Sequence, residues 1–301
     1  MLKRVLKWIA IVAVVVLVGV GGFVAYNAWA FSQSMAKVYD VPPPNITRST
    51  DVAVIARGKH VVESIGGCAS GDCHGPDLAG GKPIVMGPLG TITAPNITPG
   101  SHGGEYSDGE LARVILHGIK RDGKSLQFMP SQELNWLPDD DVLAAISYLR
   151  TVPPVAKPDG KIEIGLLGKV LDRRGMVTID VARAIDHGKR ATAPTPAPTA
   201  VYGGFLSKSC MGCHGEHLAG GPIPGAPSSV PVPKNITLHE TGLKGWSFAD
   251  FERVLKQGIK KDGKQLDPFM PIDAFSKMND VERQALWAFL ATVPPQPFGA
   301  R

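Results

Sequence analysis

Cysteine is scarce in this chain: four residues in 301, confined to two groups, Cys68 with Cys73 and Cys210 with Cys213. So few cannot form the dense disulfide framework of a small secreted scaffold. Concentrated charge of one sign is also missing. The formal net charge is +5, and Lys3, Arg4 and Lys7 lie at the very start, so nothing forms the basic stripe of a nucleic-acid-binding surface. No long pattern suggests a large regular sheet; 35 glycines and 26 prolines favour short elements joined by turns. At 301 residues, about two domains of ordinary size are expected.

One further absence is local. Residues 8–26 contain no formally charged side chain, a run long enough to cross a bilayer as a helix of ~20 residues. Lys3, Arg4 and Lys7 precede it, which by the positive-inside tendency puts the remainder of the chain outside the cytoplasm. Two readings stay open for residues 1–30. One is an uncleaved single-pass anchor. The other is a signal peptide cut near Ala28-Trp29-Ala30, although the run exceeds the ~7–15 residues of a usual signal core. Export follows from both.

What the cysteines have beside them is more telling. Cys210-Met211-Gly212-Cys213-His214 is the C-x-x-C-H pattern of covalent haem attachment. Two thiols three positions apart on a helical turn reach the two vinyl groups of one porphyrin, and the adjacent imidazole faces the iron from the same side. Two disulfides would leave the histidines without a role, and zinc would need a fourth ligand that neither cluster supplies. The first cluster departs from the pattern, because Ala69-Ser70-Gly71-Asp72 separates Cys68 from Cys73 before His74. Either both cysteines bond to haem, with Gly71 letting the loop bulge, or only Cys73 does.

The chain also repeats itself at an offset near 140. His74 matches His214, Gly118-Ile119-Lys120 matches Gly258-Ile259-Lys260, and Asn96-Ile97-Thr98 recurs as Asn235-Ile236-Thr237. Phe128-Met129-Pro130 recurs as Phe269-Met270-Pro271, which makes a methionine part of each unit. A thioether sixth ligand raises the reduction potential of haem iron relative to a second imidazole, so Met129 and Met270 are the expected distal ligands. The plain alternative is that both are core methionines. His60, His102, His117, His187, His217 and His239 do not recur and read as surface or hydrogen-bonding residues, with His60 and His102 as reserve ligands. The Asn-Ile-Thr triplets match a glycosylation sequon, but two lie inside the repeat and are expected to be structural.

Helical periodicity predicts an opening helix over 54–65, a helix over 107–119 begun by a Ser107/Glu110 capping box, and its counterpart over 247–259. Closing helices are expected over 138–149 and 279–290, each with acids in its first turn and a Val-Pro-Pro stop behind it. The resulting division is 1–30 anchor or signal, 31–49 extended spacer, 50–155 first module, 156–200 linker and 201–298 second module. Within the linker, the mixed stretch 162–187 has no counterpart elsewhere and is expected to pack between or across the modules. The segment from Ala193 to Pro198 is semi-rigid by composition.

These residues resemble the class I c-type cytochrome family, each half looking like one domain of about 100 residues. The resemblance implies an all-α fold: two tandem cytochrome c domains after an N-terminal transmembrane helix. It implies two covalently bound haem c groups held by Cys68, Cys73, His74 and Met129, and by Cys210, Cys213, His214 and Met270, the iron ligands being His74, Met129, His214 and Met270. The wider pattern is similar to cytochrome subunits of membrane-bound bacterial dehydrogenases. That similarity implies an electron carrier, not an enzyme, in a bacterial inner membrane with its haem domains in the periplasm. Its partners would be redox proteins, a dehydrogenase or a terminal oxidase. The alternative is a di-haem peroxidase-like enzyme, which needs an iron with an open or displaceable ligand.

Overall fold

The computed structural model describes every residue except 72, 191, 225 and 227–229, and the backbone but not the side chain of His102. Helix α1, Leu2–Ala36, carries the apolar run of residues 8–26 and continues well past it. Thirty-five residues make ~52 Å of helix, against a hydrocarbon core of ~30 Å.

The first half begins with α2, Val52–His60, two residues earlier than periodicity alone places it, because the Asp51 carboxylate accepts the amides of Ala53 and Val54. A π-helical turn, Val61–Ile65, then delivers the chain to Cys68. After α3, His102–Glu105, come α4, Asp108–His117, and α5, Asp139–Leu149. Helix α6, Leu166–Arg173, lies in the unrepeated stretch. The second half opens with α7, Ala200–Leu206, and α8, Lys208–His214. It continues with α9, Phe248–Gln257, α10, Ile272–Phe275, and α11, Asp280–Leu290.

The predicted capping box is present, Ser107 with Glu110 on α4, and Ser247 with Asp250 forms a second one on α9. Both helices stop at a glycine in the left-handed region, Gly118 at φ 62° and Gly258 at φ 69°. That conformation costs glycine little and lets the chain turn at once into the Ile-Lys segment.

The opening and closing helices of each half cross closely. A Cβ on Gly58 of α2 would lie 1.8 Å from the carbonyl oxygen of Ala144 on α5. On Gly203 of α7 it would lie 1.9 Å from that of Ala285 on α11. Only glycine permits either approach. The same crossing is thus built twice, and the two share one contiguous core that includes Val62, Leu116, Ile146, Leu206, Leu255 and Leu286.

The all-α expectation holds in its coarse form. The chain is mostly helical, but β1, Ile84–Val85, β2, Gly90–Ile92, and β3, Ile162–Ile164, form a three-stranded antiparallel sheet in that order. The pairing sets Val85 opposite Thr91, and Thr91 opposite Glu163. Strands of two or three residues are too short for alternation to register in the sequence. The sheet also redefines the stretch expected to link the halves. Through β3 and α6 it packs onto the first half and onto α1.

Candidate haem-attachment sites

In the second half, α7 and α8 are separated only by Ser207, and α8 carries Cys210, Cys213 and His214 on successive turns. His214 is buried, and its Nδ1 donates to the carbonyl of Lys234 at 2.6 Å. In the first half the cluster lies on turns instead of a helix, yet buried His74 donates from Nδ1 to the carbonyl of Pro95 at 2.9 Å. Each carbonyl immediately precedes an Asn-Ile-Thr triplet. Committing Nδ1 to a carbonyl fixes the ring and leaves Nε2 as the nitrogen free to bind a metal.

The triplets hold those carbonyls in place. The Oδ1 atom of Asn96 accepts from the Thr98 amide at 3.0 Å and the Thr98 hydroxyl at 2.8 Å. Its amide group donates to the Val155 carbonyl at 2.8 Å, just beyond the Val-Pro-Pro stop. Asn235 repeats the pattern, accepting from the Thr237 amide at 2.9 Å and hydroxyl at 2.8 Å and donating to the Gln296 carbonyl at 2.7 Å. Both asparagines are buried, which bears out their structural reading; Asn45, in the third triplet, is exposed. Leu78 and Leu218 match as well, with φ of 58° and 57° and carbonyls that accept the Ile97 and Ile236 amides.

All four cysteines are free thiols, so the disulfide reading does not apply here. Burial, aided by the neighbouring Cys73, pushes the Cys68 thiol up to about 12, and burial pushes that of Cys210 up to about 11. Cys213 is raised too, by burial and then by the Glu133 carboxylate. Thiolates, which zinc requires, are disfavoured in such surroundings, whereas a thioether sulfur carries no charge to desolvate. Burial likewise lowers the pKa of His74 and His214, keeping each imidazole neutral, the form in which it ligates iron. The residues present therefore suit covalently held haem.

Met129 and Met270 close two matching hairpins. Lys120 pairs its amide with the Lys124 carbonyl at 2.8 Å, and Lys260 does so with Lys264 at 2.8 Å. The amides of Leu126 and Leu266 return to Gly118 and Gly258 at 2.7 Å each. Both methionines are half-buried and pack, with Cys68 and Cys210, against the shared core.

The reserve ligand His60 is elsewhere: its Nε2 meets both carboxylate oxygens of Glu282, at 2.8 and 2.9 Å. The side chain of His102 and the loop residue Asp72 lie outside the described residues. His117 and His187 pair with each other, their Nδ1 atoms 3.2 Å apart.

Four participants carried little or no signal in the sequence. The Pro95 and Lys234 carbonyls are backbone groups, marked only by the recurrence of Asn-Ile-Thr. Arg301 donates to the Cys213 and Gly221 carbonyls at 2.8 Å each and so clamps the second cluster. Glu133, from the first half, lies over the second cluster, where a Cβ on Gly212 would come within 2.3 Å of its carboxylate.

Comparison with known proteins agrees with this chemistry. Residues 203–294 match the family model Cytochrome c. The chain is 31% identical over 134 residues to the fructose dehydrogenase cytochrome subunit of Gluconobacter japonicus, covering 40% of this chain and 28% of that protein. It is 29% identical over 279 residues to the alcohol dehydrogenase (quinone) cytochrome c subunit of Gluconacetobacter polyoxogenes, 83% of this chain and 58% of the relative. A diheme cytochrome c-type protein of Cereibacter sphaeroides is 33% identical over 113 residues, 33% of this chain and 36% of the relative. The chain thus spans less than two thirds of each of these relatives.

Proposed function

We propose that this chain, whose residues 203–294 match the family model Cytochrome c, is a membrane-tethered di-haem electron carrier serving a membrane-bound dehydrogenase. A cytochrome c domain carries haem c bound covalently through cysteine thioethers. That group supplies a one-electron couple at iron; the protein attaches it, sets its ligands and keeps water away. In this reading residues 50–155 and 201–298 each form one such domain. Cys210 and Cys213 anchor one haem, and Cys73 with Cys68 anchors the other. His74 and His214 are the proximal ligands and Met129 and Met270 the distal ones.

One observation carries the count of two. The brace from histidine Nδ1 to the carbonyl before Asn-Ile-Thr, and from that asparagine to the segment after Val-Pro-Pro, is made once in each half. A second cluster that bound no haem would have no use for it. The paired Met-Pro hairpins oppose a peroxidase, which needs an open iron position. The relatives' names, cytochrome subunits of alcohol and fructose dehydrogenases, support a dehydrogenase as donor, and a terminal oxidase or another periplasmic cytochrome would accept the electrons. Lys3, Arg4 and Lys7 ahead of the apolar run orient the tether with its haem domains in the periplasm of a bacterial inner membrane.

The test is direct. The denatured chain, purified from membranes, should have a mass corresponding to two haems, and its oxidised form should show the weak far-red sulfur-to-iron band. Met129→Leu and Met270→Leu should each remove part of that band, and the double variant all of it. A mass with one haem would sink the two-domain reading. A high-spin resting iron with peroxide turnover would sink the carrier.

A further inference from the structure

Helix α1 outlasts the bilayer. At 1.5 Å per residue the apolar run of residues 8–26, which ends at Asn27, fills ~29 Å, the thickness of the hydrocarbon core, and the helix then continues to Ala36. Tyr26 and Trp29, both exposed and 6.1 Å apart, stand where that run finishes, a position aromatic rings favour at a membrane interface. From the same level one stripe of α1 is covered by protein: Val24 is half-buried, Asn27 and Phe31 are buried, and Ser34 is half-buried.

The cover includes α6, the helix in the unrepeated stretch. Near its C-terminal end, buried Asp172 accepts the amides of Ile179 and Asp180, and the Asp180 carboxylate takes the hydroxyl of Ser34. That ties the end of α6 to the end of α1 farthest from the apolar run. Because α6 packs against α1 and is tied to it near Ser34, we take its N-terminal end, Leu166-Leu167, to lie toward the apolar run. Both leucines are exposed, at 55% and 43%. Exposed Arg174 and half-buried Lys169 and Arg173 add positive charge, and Asp172, the acid within α6, is already engaged by Arg183 at 3.0 Å.

We propose that α6 is a second membrane contact: Leu166 and Leu167 enter the lipid interface beside α1 while Lys169, Arg173 and Arg174 meet anionic headgroups. The occupant is the bilayer itself because this face continues the surface of the span and combines exposed leucines with cationic side chains, the composition of an interfacial helix. Two contacts would fix the orientation of the haem-bearing body above the membrane, where one helix alone would let it swivel. This inference rests on the tether reading of α1.

The test uses the full-length holoprotein reconstituted in vesicles of phosphatidylethanolamine and phosphatidylglycerol. Leu167→Cys supplies a thiol for a bulky, membrane-impermeant maleimide. Val201→Cys, at an exposed site in the second half, is the control, and labelling of the unsubstituted chain is subtracted. Burial at the interface should slow labelling of Leu167→Cys ~10-fold or more against the control, and phosphatidylcholine alone should give less protection. Equal labelling of the two variants would overturn the second contact while leaving the tether standing. Release of the whole chain by an alkaline carbonate wash would instead remove the tether, and this contact with it.

Discussion

A buried asparagine side chain can satisfy several backbone groups at once, and its loss strands them all. Asn235 accepts from the Thr237 amide and hydroxyl and donates to the Gln296 carbonyl and the Thr241 hydroxyl, in a pocket that leaves it 2% exposed. Asn235→Ala abandons the Thr237 amide and Gln296 carbonyl without water to replace the partner. With each unsatisfied group costing about 1–3 kcal/mol, the loss should be at least about 2 kcal/mol. Guanidinium unfolding of the holoprotein measures it, and an unchanged midpoint would remove the brace from the account. Because the Lys234 carbonyl that holds His214 adjoins Asn235, the reduction potential of that haem should shift as well. At this scale the sequence was readable where chemistry is carried by side chains of fixed spacing, as at Cys210, Cys213 and His214. It was silent on the Lys234 carbonyl, since any residue supplies one, and on Arg301, whose role arises only when the chain returns to the cluster.

Elements were legible in proportion to their length and their caps. Ser107 with Glu110 announced α4 because a capping box is a local pattern, and α9 followed from its matching periodicity. The two- and three-residue strands left no trace, and the stretch containing β3 and α6 could not be assigned to the first half before its pairing with Gly90–Ile92 was seen. Two expectations belong here. Gly203→Ala forces a methyl group against the Ala285 carbonyl, a backbone atom that cannot step aside, so it should cost about 1–3 kcal/mol. Gly204→Ala meets only the Phe289 ring at 3.1 Å, a side chain with room to turn, and should cost less; equal losses would refute the close crossing.

The second expectation concerns His117 at the end of α4, paired with His187 from the unrepeated stretch. Burial first, then His187, Arg190 and Arg113, lower the pKa of His117 from 6.5 to about 4. A folded-state value below the unfolded one means that the unfolded chain takes up the proton first. Stability should therefore be level above pH 6.5 and decline as pH falls from 6.5 towards 4. His117→Asn should flatten that part of a melting-temperature profile, and an unaltered slope would assign it to other groups.

At the scale of the whole molecule the repeat foretold two like bodies but not how they join. Glu282, at the third position of α11, is fully buried against α2, where Arg57 and His60 face it at 3.7 and 2.8 Å. Arg57 also forks onto Asp141, the equivalent position of α5, through two bonds of 2.7 Å. Lys277 reaches Glu63 at 3.4 Å. The halves therefore meet through ionic groups around an apolar contact, the edge-to-face pair of Trp136 and Phe205 with ring centres 4.7 Å apart. Trp136 also donates its indole N–H to the Glu133 carbonyl, steadying the turn that rests on the second cysteine cluster. Such a join couples the folding of the halves, because opening one exposes core surface of the other and takes from Glu282 its Arg57 and His60 partners. Calorimetry of the holoprotein should then show one transition for the two halves. Trp136→Ala removes the ring that spans the join and opens a cavity there, at a cost of about 3–5 kcal/mol. It should split the transition in two and move the turn over Gly212; in the proposed di-haem reading, the potential of the haem at Cys210 and Cys213 would then change more than that of the other. Two transitions in the unaltered chain would mean that the halves fold independently, and the contact between them would then be docking, not a shared core.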